Sequence, residues 1–160
     1  DTDDDVDSPC SVENVICVGG VGIDGTTWSG SSKGSNDFQL FPPKLSRQDP
    51  DKKPELVAPA DSIPVLVSTN SGSNEPSKAT YGTASGTSAA TVYVSSAIAL
   101  MLEKNPSISR NGAQGGSLDN IEQVKQWIKE SCLPKSNSDE HDEYYGYGLL
   151  QVNLLVNKST

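Results

Sequence analysis

Hydrophobic positions along the chain fall into short clusters separated by polar stretches rich in Gly, Ser and Pro. Asn14-Val15-Ile16-Cys17-Val18 is a brief β-branched run closed by Gly19-Gly20, and it reads as a fully buried strand of the kind found in parallel sheets. Residues 22–37 (GIDGTTWSGSSKGSND) carry turn chemistry: Asp24-Gly25 suits a tight turn, and the rest a flexible surface loop. Pro42, Pro43, Pro50 and Pro54 stand among charges, so 41–54 is an irregular connection that excludes a central strand or helix interior. Leu56-Val57-Ala58 and Ile63-Pro64-Val65-Leu66-Val67, each bounded by breakers, predict short strands or strand edges, and 68–79 a polar loop.

The pattern then changes. From Thr87 to Lys104 the sequence TSAATVYVSSAIALMLEK is apolar or small at nearly every position and is stopped by Asn105-Pro106, which predicts a helix buried on most faces. Ala89, Ala90, Ser95, Ser96, Ala97 and Ala99 let its backbone lie close to whatever sheet it crosses. A second helix is predicted over 118–131, where Ile121, Val124 and Ile128 recur at helical spacing and Asp119 and Glu122 are placed as a capping pair. Its other face, with Glu122, Lys125, Lys129 and Glu130, is expected to be solvated. Gly146-Tyr147-Gly148 turns the chain into a last apolar segment over 149–156, and there are no internal repeats. Short strands alternating with helices predict an α/β architecture. Two good helices and about three strands are too few to cover both faces of a doubly wound sheet, so the chain is expected to form part of one.

Composition narrows the classes. The chain has 160 residues, 34% of them hydrophobic, with 14 Gly and 10 Pro, which suits one loop-rich domain and not a coiled coil. No apolar run approaches the ~20 residues of a membrane span, and the opening DTDDDVD is unlike a targeting peptide, so neither is expected. The net charge of −9 is local: residues 1–7 hold five Asp and 139–143 four acids, and the other 12 acids balance 12 Lys plus Arg. Without a basic patch, nucleic-acid binding is disfavoured. Cys10, Cys17 and Cys132 are too few and too widely spaced for a disulfide framework and have no zinc spacing, and their odd number leaves at least one thiol free or bonded to another chain. The acidic leader, residues 1–9, reads mainly as a solvated segment; calcium ligation by Asp3, Asp5 or Asp7 is open to it without EF-hand spacing. Asn157-Lys158-Ser159, in the tail 157–160, matches a glycosylation sequon.

The sharpest local feature is Tyr81-Gly82-Thr83-Ala84-Ser85-Gly86-Thr87-Ser88-Ala89-Ala90, a small-residue turn feeding directly into the long helix. Ser88 falls at or just inside the helix start, where unpaired N–H groups and the helix dipole favour developing negative charge. A serine there can be a nucleophile beside an oxyanion site; on position alone, a capping role is the ordinary reading.

SGTSAAT followed by a small-residue helix resembles the nucleophile motif Gly-Thr-Ser-X-Ala of the subtilisin-like serine proteases, the subtilases. Four further blocks resemble that family in order: Cys10 to Gly20 its strand leading to a V-G-A turn, Trp28 to Gly34 its F-S-S-x-G loop, Lys53 to Ala60 its K-P-D-v-x-A-P-G segment, and Tyr144 to Leu149 its G-Y-G-x-v-n turn. The resemblance spans residues 10–156. Val92 and Tyr93 stand where the family places Pro and His, and Glu55 and Ala60 replace Asp and Gly.

The resemblance implies the C-terminal half of a subtilisin-like parallel-sheet, three-layer catalytic domain, and a secreted, zymogen-type serine endopeptidase working through an acyl-enzyme. It implies Ser88 as nucleophile, with the Ser88 backbone N–H and the Thr87 hydroxyl at the oxyanion hole. The family's catalytic Asp and His and its oxyanion Asn belong to blocks that precede the strand at Asn14–Val18, so they are expected on an N-terminal part of the same domain. This chain alone is therefore expected to be inactive. Its expected partners are that N-terminal part and a peptide or protein substrate; no cofactor is expected for the chemistry, and the location is extracellular or secretory. His141, the one histidine, lies in Ser138-Asp139-Glu140-His141-Asp142-Glu143 without a nucleophile elbow elsewhere, and reads as a solvated loop residue. Two rival readings stand: a catalytically inactive subtilase-like binding or scaffold module, which Val92 and Tyr93 favour, and one chain of a nicked enzyme.

Overall fold

The structure is a computed structural model, and it describes residues 9–34, 37–38, 45–69, 78–106, 108, 118–136 and 140–158. In chain order the elements are β1 (Val18–Val21), β2 (Asp37–Phe38), β3 (Leu45–Ser46), β4 (Leu56–Pro59), β5 (Ile63–Thr69), β6 (Lys78–Ala84), α1 (Thr87–Lys104), α2 (Leu118–Glu130), β7 (Cys132–Leu133), β8 (Leu149–Leu150) and α3 (Val152–Val156). A four-stranded sheet has the order β1-β4-β8-β7, with β1, β4 and β8 parallel and β7 antiparallel to β8. Two antiparallel hairpins, β2-β3 and β5-β6, stand outside it.

Alternation along the strands assigns the two faces of this sheet. Val18, Leu56, Ala58 and Ala60 point to one side and meet Ala90, Val94, Ala97 and Met101 of α1, Val124, Trp127 and Ile128 of α2, and Leu155 of α3. On the opposite side Val21 and Val57 pack with Tyr145. Among the described residues the helices share one face, so two layers of the expected three-layer arrangement are present, a parallel sheet and one helical layer. The α/β class and the partial-domain expectation both hold.

Several local expectations need correction. The run Asn14–Cys17 is not a strand, because backbone groups within 9–17 close turns, Val12 N–H to Pro9 O at 3.0 Å and Val15 N–H to Val12 O at 3.2 Å. Cations hold carbonyls along this turn segment, Arg47 Nη2 reaching Ser11 O at 3.0 Å, Lys53 Nζ reaching Val15 O at 2.5 Å and Lys125 Nζ reaching Glu13 O, while Cys17 O accepts Glu55 N–H at 3.0 Å. The strand starts at Val18 and runs through Gly19 and Gly20. Tyr81 to Ala84 belong to β6 and not to a turn, paired with β5 from Ile63↔Ala84 to Thr69↔Lys78.

Helix α1 has the expected bounds but is buried on one stripe only. Ala90, Val94, Ala97 and Met101 are buried, at a spacing that faces β1 and β4, while Val92, Tyr93 and Leu100 are exposed by 65%, 46% and 51%. On α2 the expected solvated face is partly wrong. Lys125 is 1% exposed and pairs with Asp51 and, at 2.9 Å, with Glu55, and Lys129 Nζ lies 2.9 Å from Asp49. Ion partners on the 49–55 segment explain why charged side chains turn inward there. Asp119 and Glu122, the expected capping pair, both lie inside α2, Asp119 in its first turn, and residues 109–117 ahead of it lie outside the described ones.

His141 is not a solvated loop histidine. Its Nε2 lies 2.8 Å from Pro54 O, and its ring packs edge-on against Tyr147 with centroids 5.0 Å apart. Nδ1 is buried without a hydrogen-bond partner. Burial, chiefly, holds the imidazole below its ordinary pKa, with Lys52 adding to the effect and Pro54 O, Asp49 and Asp142 opposing it. Because the folded pKa is depressed, this contribution to stability is complete above the unfolded value of about 6.5 and is lost as pH falls from there toward the folded value. Urea midpoints measured between pH 7.5 and pH 5 are expected to fall more for the native chain than for His141→Asn; parallel pH profiles would show that His141 is not the group responsible.

Candidate active site

The carboxyl ends of the parallel pair β1 and β4 are where helix α1 begins. Ala60 N–H donates to Val21 O at 2.9 Å, carrying the pairing one residue past β4, and Gly86 N–H donates to Ala60 O at 2.7 Å. Ligands of open α/β sheets bind outside the carboxyl ends of the strands, and the loop 84–88 occupies that place. Gly20 permits the close approach. A Cβ built on it would lie 2.5 Å from Ala60 Cβ and 3.5 Å from Thr87 Cγ2, so only hydrogen fits between β1 and the helix start.

Gly86 is the N-cap residue of α1, at φ 156° and ψ 148°, a backbone combination that glycine tolerates and other residues rarely adopt. No side chain caps the helix, and its first turn carries no acidic residue. Thr87 and Ser88 are therefore the first two helical residues, and neither serves as a cap. Thr87 is half-buried, and its carbonyl accepts the Thr91 hydroxyl at 2.9 Å. Ser88 is exposed, and its hydroxyl has no hydrogen-bond partner among the described residues. At this position its N–H precedes the first intrahelical bond and stays free of the helix ladder.

A polar network that the sequence did not single out braces the same loop. Ser85 Oγ donates to Asp61 Oδ1 at 2.8 Å and accepts Ser62 N–H at 2.9 Å. Ser62 has φ 54°, and it is the one non-glycine residue with positive φ among the described residues. A serine in the left-handed region costs on the order of 1 kcal/mol and persists only where its surroundings fix it. Here they do, tying the turn after β4 to the residue three positions before Ser88. The signal in the sequence was weak: Asp61-Ser62 reads simply as a breaker between two apolar runs.

The structure separates Ser88 from His141. Pro54, which His141 touches, and Ala60, which holds Gly86, stand at opposite ends of an extended segment, roughly 20 Å apart at the rise of a strand. His141 is thus no base for Ser88. Among the described residues no group of three or more His, Cys, Asp or Glu side chains could hold a metal ion. Asp3, Asp5 and Asp7 lie outside the described residues, as does Ser159 of the sequon, whose Asn157 is exposed. Cys10, Cys17 and Cys132 are all free thiols. No described helix is long and apolar enough to cross a membrane.

The sequence profile of the peptidase S8 or subtilase family matches residues 1–148. The chain belongs to the subtilase family. That family is one of serine peptidases, and solved structures similar to this chain agree with it in fold. The protease CspB of Clostridium perfringens is 25% identical with a TM-score of 0.61, over 94% of this chain and 29% of its own. MycP1, a serine protease and essential component of the type VII (ESX-1) secretion system, is 22% identical with a TM-score of 0.61, over 94% of this chain and 33% of its own. Fervidolysin of Fervidobacterium pennivorans, a keratinolytic enzyme related to subtilisin, is 18% identical with a TM-score of 0.57, over 94% of this subtilase chain and 20% of its own. The chain spans less than half the length of the solved relatives it matches. A search of curated protein sequences gives no match.

The contact at Gly20 is open to a direct test in this subtilase chain. Gly20→Ala is expected to destabilise by about 1–3 kcal/mol, because the new methyl meets a Cβ that cannot rotate away. Adding Ala60→Gly should restore part of that loss, measured by thermal denaturation of both single variants and the double variant. Additive losses would mean that the two positions are not in contact.

Proposed function

We propose that this chain is the nucleophile-bearing part of a subtilisin-like serine endopeptidase. Ser88 Oγ attacks a peptide carbonyl; its proton passes to a histidine, and the C–N bond breaks as the leaving amine takes that proton. The resulting acyl-enzyme is then hydrolysed by water. The Ser88 N–H donates to the developing oxyanion, with the Thr87 hydroxyl as an auxiliary donor. The histidine, its orienting aspartate and an asparagine donor come from an N-terminal part of the same domain.

The observation that carries this reading is the unpartnered, exposed hydroxyl of Ser88 on an uncapped helix start, at the carboxyl ends of β1 and β4. A serine kept for capping would not stand free while glycine takes the N-cap position. Support for the N-terminal partner comes from the outer stripe of α1, where the exposed apolar side chains Val92, Tyr93 and Leu100 suit burial against further chain. The same reading makes the whole protein a secreted, zymogen-type enzyme in an extracellular or secretory setting. Structural calcium on the acidic leader at Asp3, Asp5 or Asp7 is compatible with it, and no step of the chemistry uses a metal.

The test uses the protein with its N-terminal part present. An organophosphonate probe is expected to label Ser88, and Ser88→Ala should abolish labelling while shifting stability by less than the ~1 kcal/mol of a lost cap. Purified residues 1–160 alone should turn over no peptide, since a serine without base and acid loses most of its advantage. Turnover by the purified chain that Ser88→Ala removes would overturn the two-part reading. A folded complex that has its His and Asp in place but resists the probe would mean an inactive binding or scaffold module.

A further inference from the structure

The start of α1 is fastened to the turn after β4 at two adjacent residues. Gly86 N–H donates to Ala60 O at 2.7 Å. One residue earlier, Ser85 Oγ accepts Ser62 N–H at 2.9 Å and donates to Asp61 Oδ1 at 2.8 Å, and the Ser62 hydroxyl donates to the same Oδ1 at 3.3 Å. A lone hydrogen bond between main chains is a pivot about which the loop can turn. The second attachment, offset by one residue, removes that rotation. With it goes the freedom of Ser88 to swing relative to the carboxyl ends of β1 and β4.

These bonds are poorly placed to add stability. Ser62 and Ser85 are exposed and Asp61 is half-buried, so water competes for each of them. Ser62 also has φ 54°, a backbone region that serine keeps only where its surroundings hold it. The network therefore maintains a shape at some cost in energy, and the shape it maintains is that of the residues leading to Ser88.

The geometry points to Asp61 as a positioning residue for Ser88, acting through the Ser85 hydroxyl, on the reading of Ser88 as the nucleophile. Asp61 serves as an acceptor. By taking the Ser85 proton it turns the Ser85 oxygen toward Ser62 N–H, and both links to the turn are made by one side chain. Only three residues separate Ser85 from Ser88, and Thr87 and Ser88 already belong to α1, so a rotation at Ser85 reaches the nucleophile with little to absorb it. Attack on a carbonyl tolerates little error, since a displacement of about 1 Å costs on the order of a hundredfold in rate.

The test is made on the protein with its N-terminal part present, and reads the rate at which an organophosphonate labels Ser88 together with kcat and KM for a peptide substrate. Asp61→Ala is expected to slow labelling and to lower kcat at least about fivefold with KM unchanged, at a temperature where melting curves show it folded. Asp61→Asn keeps an oxygen acceptor and should stay within about twofold of the native rate. Ser85→Ala should match Asp61→Ala, and the double variant should be no slower than either, because all three remove one link. Where Asp61→Ala melts too low to assay, Ser85→Ala against Asp61→Asn carries the same comparison. A smaller loss, or losses that add in the double variant, would overturn the proposal. So would an Asp61→Asn as slow as Asp61→Ala beside a Ser85→Ala at the native rate, since the carboxylate would then act by its charge and not through Ser85. A native protein that resists the probe strikes the nucleophile reading itself, and this role with it.

Discussion

Glu55 is the point on which four parts of the molecule converge. Its carboxylate accepts Cys17 N–H at 2.7 Å on one oxygen and the Lys53 and Lys125 ammonium groups at 2.5 Å and 2.9 Å on the other. Its own N–H donates to Cys17 O at 3.0 Å, and its carbonyl accepts Tyr147 N–H at 2.8 Å. One residue thus fastens the turns before β1, the start of β4, helix α2 and the 142–148 turn. Glu55, Lys53 and Lys125 are all within 1% of full burial. Burial drives such a carboxyl toward its neutral form and the two ammonium groups oppose it. The cluster stands because further acceptors, Asp51 and the carbonyls of Glu13 and Val15, take up the remaining ammonium protons. An ion group of this kind adds little over an apolar core of equal volume, but removing one member costs about 3–5 kcal/mol. Its value lies in fixing register: β1 can meet β4 only with Val18 beside Leu56.

That register has a consequence at the opposite end of the strands. Parallel pairing fixed near Cys17 and Glu55 brings Val21 and Ala60 together four to five residues later, and Gly86 hangs from Ala60. The polar cluster and the helix start are therefore two ends of one rigid pair of strands. Between them lie only Gly and apolar side chains, so a shift at the cluster has no soft element in which to dissipate before it reaches the loop carrying Ser88.

Much of this was legible in the chain. The bounds of α1 with Ser88 in its first turn, the strand at Leu56 and the α/β class all follow from local pattern, because propensity, breakers and tertiary demand agree there. Legibility fails where long-range charges decide. Lys125 and Lys129 follow a solvated helical pattern, yet partners some 70 to 80 residues away turn them inward. Asn14–Cys17 looks like a strand because its side chains are apolar, but Val15 N–H turns back to Val12 O and Val15 O accepts the Lys53 ammonium. His141 sits in a charge run and packs on Tyr147 because the turn Asp142–Gly146 folds it back over Pro54. Hydrophobic periodicity carries no information about any of these contacts.

Helix α1 forgoes the two ordinary stabilisers of a helix start. It has neither a capping side chain nor an acidic residue in its first turn, each worth from a few tenths to about 1 kcal/mol. An 18-residue helix with four fully buried positions can bear that loss, since its stability comes from packing on β1 and β4. What remains is an electropositive terminus with free N–H groups, held in place by Gly86 on one strand and by the Ser85–Asp61 bond on the turn beyond it. Filling that terminus with a cap would stabilise the fold and take up N–H groups that now stand free at the helix start. The unspent helix start and the free Ser88 hydroxyl are thus a single arrangement, and the buried charges at Glu55 hold the strands that position it.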